Sequence, residues 1–251
     1  MATSPRSIAY LLPNLFTAAS IFAGVYSMIA ATEGRFVFAA WMILLSLIFD
    51  GLDGRVARLT NTCSRFGVEF DSLADIIAFG AAPAMLIYLY VGQDYGRYGV
   101  LVSALFVIFG AIRLARFNVM TAQTEPSVFI GVPIPTAATF AAVLVLLFTK
   151  YGGHNEYGWI ILAGALVSAL LMVSNIRYPS FKKVDMHAMH VKRILVVLLF
   201  AASLVFLYPI EGVALFFTLY ILYGPIRAAW FLYSRFRLMK THKKRREKRK
   251  K

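Results

Sequence analysis

Five of the chain's 12 acidic residues fall within positions 50–75, in the stretch FDGLDGRVARLTNTCSRFGVEFDSLAD. At about 100° per residue, Asp50 and Asp53 lie about 60° apart on one helix face, and Gly54 and Ala57 share that face. Asp71 and Asp75 form an i, i+4 pair on the following helix. Asp50 ends the apolar run WMILLSLIF, and Asp75 opens another. Two antiparallel helices would therefore bring four carboxylates together at a membrane boundary, where ionisable groups are costly and functional by default. Four carboxylates cannot share a small site of low dielectric while all are ionised, unless cations compensate them. Hard oxygen ligands without His or Cys point to magnesium, manganese or calcium. Magnesium held by carboxylates and substrate phosphates is the usual arrangement for phosphoryl chemistry. Arg58 and Arg65 supply positive charge for a phosphate, and the small residues Gly54 and Ala57 let a bulky group approach the backbone. Two other readings compete with this one: charges that merely mark helix ends, and a transport site for divalent cations. A transporter should place its carboxylates near the midplane, whereas these cluster at one boundary beside arginines.

The elements that must position these residues follow from composition. Of 251 residues, 60% are hydrophobic and 15% charged, with a mean hydropathy of +0.70. A soluble domain is about 45–50% apolar and about 25% charged, so a water-soluble enzyme, a disordered chain and a collagen are excluded. The lone Cys63 rules out an intrachain disulfide. A spanning helix needs about 20 mostly apolar residues, and eight stretches qualify: about 9–31, 35–56, 68–92, 97–117, 131–150, 157–175, 193–209 and 212–234. The expected fold class is an all-α polytopic membrane protein. Its catalytic transmembrane domain covers 1–234, with a core of six helices over about 9–175 and two further helices over about 193–234. Residues 235–251 form a basic tail.

Charge sets the expected orientation. With a cytoplasmic N-terminus and eight helices, the cytoplasmic side receives 23 of the 26 Lys and Arg residues; the other side receives only Arg35, Arg97 and Lys150. Both termini are therefore expected in the cytoplasm. The tail 235–251 carries 11 basic residues and one Glu. It reads as a solvated, disordered segment that leans on anionic lipid headgroups. No aromatic residues interleave its charges beyond Phe236, and nucleic acid is not an expected partner. His187 and His190 read as ordinary loop residues.

The carboxylate segment matches D-x2-D-G-x2-A-R-x8-G-x3-D-x3-D at Asp50, Asp53, Gly54, Ala57, Arg58, Gly67, Asp71 and Asp75. This pattern resembles the signature of the CDP-alcohol phosphotransferases, integral membrane enzymes of phospholipid synthesis. The resemblance implies two divalent cations, magnesium or manganese. Asp50 and Asp71 would touch both ions, Asp53 one and Asp75 the other, with Asp75 also the general base. It places Gly54, Ala57, Arg58 and Ser64 against the CDP moiety of CDP-diacylglycerol. Asn14 and Thr17, in LLPNLFTAAS, resemble an N-x-x-T on the first helix beside the nucleotide; a kink and a cap at Pro13 and Asn14 are the alternative reading. A homodimer and a bacterial cytoplasmic membrane are also implied.

The acceptor alcohol is a separate matter. The stretches GAIRLARFNV, FIGVPIPTAA, LMVSNIRYPSFKK and VEFDSLADIIAFGAAPA resemble the bacterial branch of that family that transfers to serine. They are less like the branches using glycerol phosphate or inositol phosphate. Serine brings a carboxylate, for which Arg113 and Arg116, at i and i+3, are candidate partners, and Asn118 could add a hydrogen bond. The same arginines also satisfy the positive-inside rule, and either could bind the lipid diphosphate.

Overall fold

The computed structural model describes residues 5–120, 128–179, 199 and 202–248. Two long helices open the chain: α1 (Pro5–Thr32) and α2 (Phe36–Leu59), joined by a short turn in which Gly34 has φ +75°. They pack through small residues. Ala30, Ala31, Ala39 and Ala40 are buried between them, Ser27 donates to the carbonyl of Ala39 at 2.8 Å, and Ser46 donates to that of Ser20 at 3.0 Å. In lipid, helices associate by close packing and interhelical hydrogen bonds, and these contacts supply both.

The third span is composite. α3 (Arg65–Asp75) runs into a π-helical turn, Ile76–Ala81, and continues as α4 (Ala82–Tyr90). A Cβ on Gly24 of α1 would stand 2.8 Å from the Cα of Ala78 in that turn, so glycine there lets α1 lie directly on the π segment. α5 (Arg97–Met120), α6 (Ile134–Tyr151) and α7 (His154–Val173) complete the six expected core spans. α6 is the central element: Ile134, Ala137, Ala138, Ala141, Ala142 and Val145 are all buried. Its start falls a few residues after the expected 131, because Gly131 has φ +77° and Pro133 is extended. Large apolar residues such as Phe22, Trp41, Ile48, Ile112, Trp159 and Trp230 are exposed, as suits a belt facing lipid.

Seven helices among the described residues are long and apolar enough to cross a membrane. The expected span 193–209 lies mostly outside the described residues, as do His187 and His190. Two short strands depart from the all-helical expectation without changing the class. β1 (Val128–Ile130) pairs antiparallel with β2 (Arg177–Pro179). Three residues are too few for a period-2 signal to register in sequence.

The last helix, α8, runs from Pro209 to Lys248. Its 40 residues are about 60 Å long, roughly twice the hydrocarbon thickness of about 30 Å. The tail expected to be disordered is thus helical to Lys248. No Gly or Pro follows Pro225, and Lys, Arg, Leu and Met favour the helix. At the other end of α8, Glu211 accepts from Lys150 and Tyr151 of α6.

Candidate active site

A turn at 60–64 reverses the chain between α2 and α3. Thr60 donates its hydroxyl to the carbonyl of Val56 at 2.8 Å, the Thr62 amide donates to that of Ala57 at 3.0 Å, and Asn61 adopts φ +54°. Ser64 then caps α3, its hydroxyl accepting from the Gly67 amide at 3.0 Å, as a serine N-cap should. The reversal sets the C-terminal part of α2 beside α3. Carboxylate oxygens of Asp50, Asp53 and Asp71 all lie within 4.8 Å of one another.

Asp75 sits one helical turn deeper and is only 9% exposed. Its carboxylate contacts that of Asp50 and feels the charges of Asp71 and Arg113. Its Oδ1 has no hydrogen-bond partner among the described residues. A buried carboxylate oxygen without a donor is costly. Three oxygen ligands converging beside an orphaned fourth fit a hard divalent cation. Asp50, Asp53 and Asp71 therefore form a group able to hold a metal ion.

Three helices support this group. Thr17 of α1 donates its hydroxyl to Asp53 Oδ2 at 2.8 Å, with the Pro13 carbonyl farther away at 3.2 Å. Thr17, expected beside the nucleotide, is thus in direct contact with a candidate ligand carboxylate. Asn14 faces the start of α3: a Cβ on Gly67 would stand 3.6 Å from its Oδ1 and 3.2 Å from the Ser64 hydroxyl. The Arg58 guanidinium lies over Gly54, 3.5 Å from where a Cβ would be. Ala57 is half-buried on the same stretch of α2. A cavity of about 330 Å³ opens at the turn, lined by Cys63, Ser64, Arg65, Val68 and Glu69.

The candidate acceptor residues fare differently from one another. Arg113 of α5 is buried, with 6% exposure, and its Nε has no hydrogen-bond partner among the described residues. Its guanidinium lies 5.4 Å from the centre of the Phe117 ring and is within electrostatic reach of Asp75 and Tyr220. Arg116 is committed elsewhere. Its guanidinium donates to the carbonyls of Ile130, Met172, Val173 and Ser174 at 3.1–3.2 Å and to the Asn175 side chain at 3.4 Å. It thereby ties the C-terminal carbonyls of α7 to β1, satisfying groups that a helix end leaves open. Asn118 donates to the Ser72 hydroxyl at 2.9 Å, next to Asp71 in sequence. Tyr220 and Ser72 were not foreseen: Tyr220 is more than 100 positions away from Arg113, and Ser72 is one exposed-looking serine among many.

Comparison with known proteins decides the family. Residues 10–171 match the sequence profile of the CDP-alcohol phosphatidyltransferases. The chain belongs to that family. The matched segment contains every aspartate of the cluster together with Asn14, Arg113, Arg116 and Asn118, and it ends before β2 and α8. Among relatives, the Helicobacter pylori CDP-diacylglycerol–serine O-phosphatidyltransferase is 55% identical over 229 residues, 89% of this chain and 93% of its own length. The archaetidylserine synthase of Methanothermobacter thermautotrophicus is 38% identical over 67% of this chain and 69% of its own. The Mycobacterium tuberculosis CDP-diacylglycerol–serine O-phosphatidyltransferase is 33% identical over 79% of this chain and 71% of its own. With seven apolar helices among its described residues, this family member is an integral membrane protein.

Proposed function

We propose that this CDP-alcohol phosphatidyltransferase transfers the phosphatidyl group of CDP-diacylglycerol to the hydroxyl of L-serine, giving phosphatidylserine and CMP. The observation that carries the reading is the 55% identity, over nearly the whole of both chains, to an enzyme of that name. Asp50, Asp53, Asp71 and Asp75 are assigned to two divalent cations, magnesium or manganese, with the convergence of the first three carboxylates in support. When bound, such cations neutralise the diphosphate and stabilise the departing CMP. Gly54, Ala57, Arg58, Ser64, Asn14 and Thr17 are assigned to the CDP side. There Arg58 supplies charge, Gly54 allows close approach, and Thr17 acts through Asp53.

Asp75 accepts the proton of the serine hydroxyl. The hydroxyl oxygen attacks the phosphorus that bears diacylglycerol. A bond forms between them as the bond from that phosphorus to the bridging oxygen breaks. CMP leaves with the electron pair and the other phosphate, and the proton on Asp75 later passes to water. Serine is a weak nucleophile, so in-line placement contributes several kcal/mol. Arg113 is the assigned partner of the serine carboxylate. Asn118 orients Ser72, and Arg116 holds the frame.

The same reading places the chain in a bacterial cytoplasmic membrane as a homodimer, with both termini cytoplasmic and the basic end of α8 against anionic headgroups. A cytoplasm-active reporter fused after Lys251 should be functional; activity of a reporter that works only outside the cytoplasm would overturn the orientation. The test of function is an acceptor screen. Purified protein with CDP-diacylglycerol and magnesium should release CMP with L-serine and form phosphatidylserine. Release with glycerol 3-phosphate or inositol phosphate but not serine would replace the reading with that of a sister enzyme.

A further inference from the structure

Two contacts fix the direction in which α8 crosses the protein. Near its start, Glu211 accepts from Lys150 and Tyr151, the last residues of α6. Further along, Tyr178 of β2 donates its hydroxyl to the Ile221 carbonyl at 3.2 Å. Pro225 has no N–H to offer that carbonyl. Gly224 makes room for the phenol, since a Cβ there would stand 2.2 Å from the Tyr178 ring. Tyr178 is fully buried. Glu211 therefore marks the end of the bundle where α6 finishes, and Ile221 lies toward the end where β2 sits.

β2 belongs to the aspartate side. It pairs with β1, and Arg116 of α5 donates to the Ile130 carbonyl of β1 at 3.1 Å and to the Met172 carbonyl of α7 at 3.2 Å. On the same end of α5, Asn118 donates to the Ser72 hydroxyl of α3 at 2.9 Å, and Ser72 adjoins Asp71 in sequence. α8 thus runs from the far end of the bundle toward the end that holds the carboxylates. It continues from Gly224 to Lys248 for about 36 Å. Its apolar window closes at Trp230, and residues 235–248 carry eight Lys or Arg against one Glu. A continuous basic helix therefore extends from the bundle on the side of the carboxylates. This placement follows from packing and is independent of the loop charges.

A segment of that charge beside a membrane attracts anionic lipid, and the attraction fades within about a Debye length. The donor fits it best. CDP-diacylglycerol carries two ionised phosphates in one headgroup, and it must reach the carboxylates from the leaflet at their end of the bundle. Phosphatidylserine keeps a single phosphate, and the two charges of its serine cancel, so it is held less strongly. We propose that the basic continuation of α8 is a collecting surface for the donor lipid. It raises the concentration of CDP-diacylglycerol beside the site and favours its exchange for the product. The proposal rests on the CDP-diacylglycerol reading above and deepens it. It also gives a role to a helix that lies beyond the segment matched by the family profile.

The test compares wild type with a full-length variant that combines Lys243→Gln, Lys244→Gln, Arg245→Gln and Arg246→Gln. CMP release is followed in non-ionic detergent micelles with magnesium and saturating L-serine. CDP-diacylglycerol is the only anionic lipid, and its mole fraction is varied. Focusing by charge of one sign raises a local concentration about tenfold or more, so at low salt the donor KM of the variant should be about tenfold higher. Its kcat should stay within about twofold, with the serine KM unchanged. Salt at about 0.5 M shortens the Debye length to a few Å, so the wild-type donor KM should there rise to meet that of the variant. Phosphatidylglycerol added at low salt should raise the wild-type donor KM in the same way, and phosphatidylcholine should not. Equal donor KM values at low salt overturn the proposal. A difference that survives high salt also overturns it, marking the four residues as structural. A fall in donor KM on adding phosphatidylglycerol overturns it in favour of a general anchor to anionic lipid. If the variant fails to fold, the salt and phosphatidylglycerol dependence of the wild-type donor KM decides. Wild type that releases CMP with another alcohol but not with serine overturns only the acceptor reading, and the donor comparison is then made with that alcohol. Wild type that releases no CMP with any alcohol overturns the donor reading and this proposal with it.

Discussion

Thr17 on α1 and Asp53 on α2 are joined by a 2.8 Å hydrogen bond, both side chains buried. The threonine hydroxyl fixes the Oδ2 of a carboxylate that must present its oxygens to the interior. Only one proton is available, and the nearer acceptor is Asp53 rather than the Pro13 carbonyl. Thr17→Val keeps the shape and removes the bond. A hydrogen bond to a charged group is worth about 1.5–3 kcal/mol. The magnesium concentration giving half-maximal activity is therefore expected to rise about tenfold or more, and Thr17→Ser should restore it. A metal titration that superimposes on wild type would show that Asp53 does not depend on Thr17.

Asp50, Asp53 and Asp71 offer oxygens within 4.8 Å of one another. Replacing any of the three by Ala should abolish CMP release while leaving a folded protein by size-exclusion chromatography. EDTA should do the same to wild type, and added magnesium or manganese should reverse it. Full turnover by a chelated, metal-free preparation would end the cation assignment.

Asp75 is buried, and unlike its neighbours it has an Oδ1 without a hydrogen-bond partner among the described residues. Asp75→Asn keeps the shape and one carbonyl oxygen but cannot take a proton at neutral pH. Turnover with serine should fall about 10²–10⁴-fold. Binding of a CDP-lipid analogue, followed by calorimetry, should survive better than in Asp71→Asn. Near-normal turnover would remove Asp75 as the base.

Gly54 carries the guanidinium of Arg58 above its backbone. Gly54→Leu fills that space and displaces the guanidinium from the proposed CDP side. The KM for CDP-diacylglycerol should rise several-fold more than the KM for serine, as expected when a contact to one substrate is lost. Equal rises, read from initial rates with each substrate varied, would count against this placement of the nucleotide.

Much of this protein is legible in one dimension. Spans declare themselves because about 20 apolar residues have few alternatives to crossing a bilayer, and α1 through α7 fall close to where the apolar runs lie. The carboxylate cluster is legible for a related reason. Its members sit within 26 positions on one helix hairpin, so helical periodicity alone brings Asp50 to Asp53 and Asp71 to Asp75. What sequence could not supply was the partner of each long-range side chain. Arg113 and Arg116 look alike at i and i+3, yet one is buried within electrostatic reach of Asp75 while the other is spent on the carbonyls ending α7. Asn118 turns to Ser72, and Thr17 to Asp53. Tyr178 takes up the Ile221 carbonyl that Pro225 leaves open in α8. Local periodicity fixes which face a residue occupies. Which neighbour it meets there depends on how separate helices pack, and that packing exists only in the folded chain.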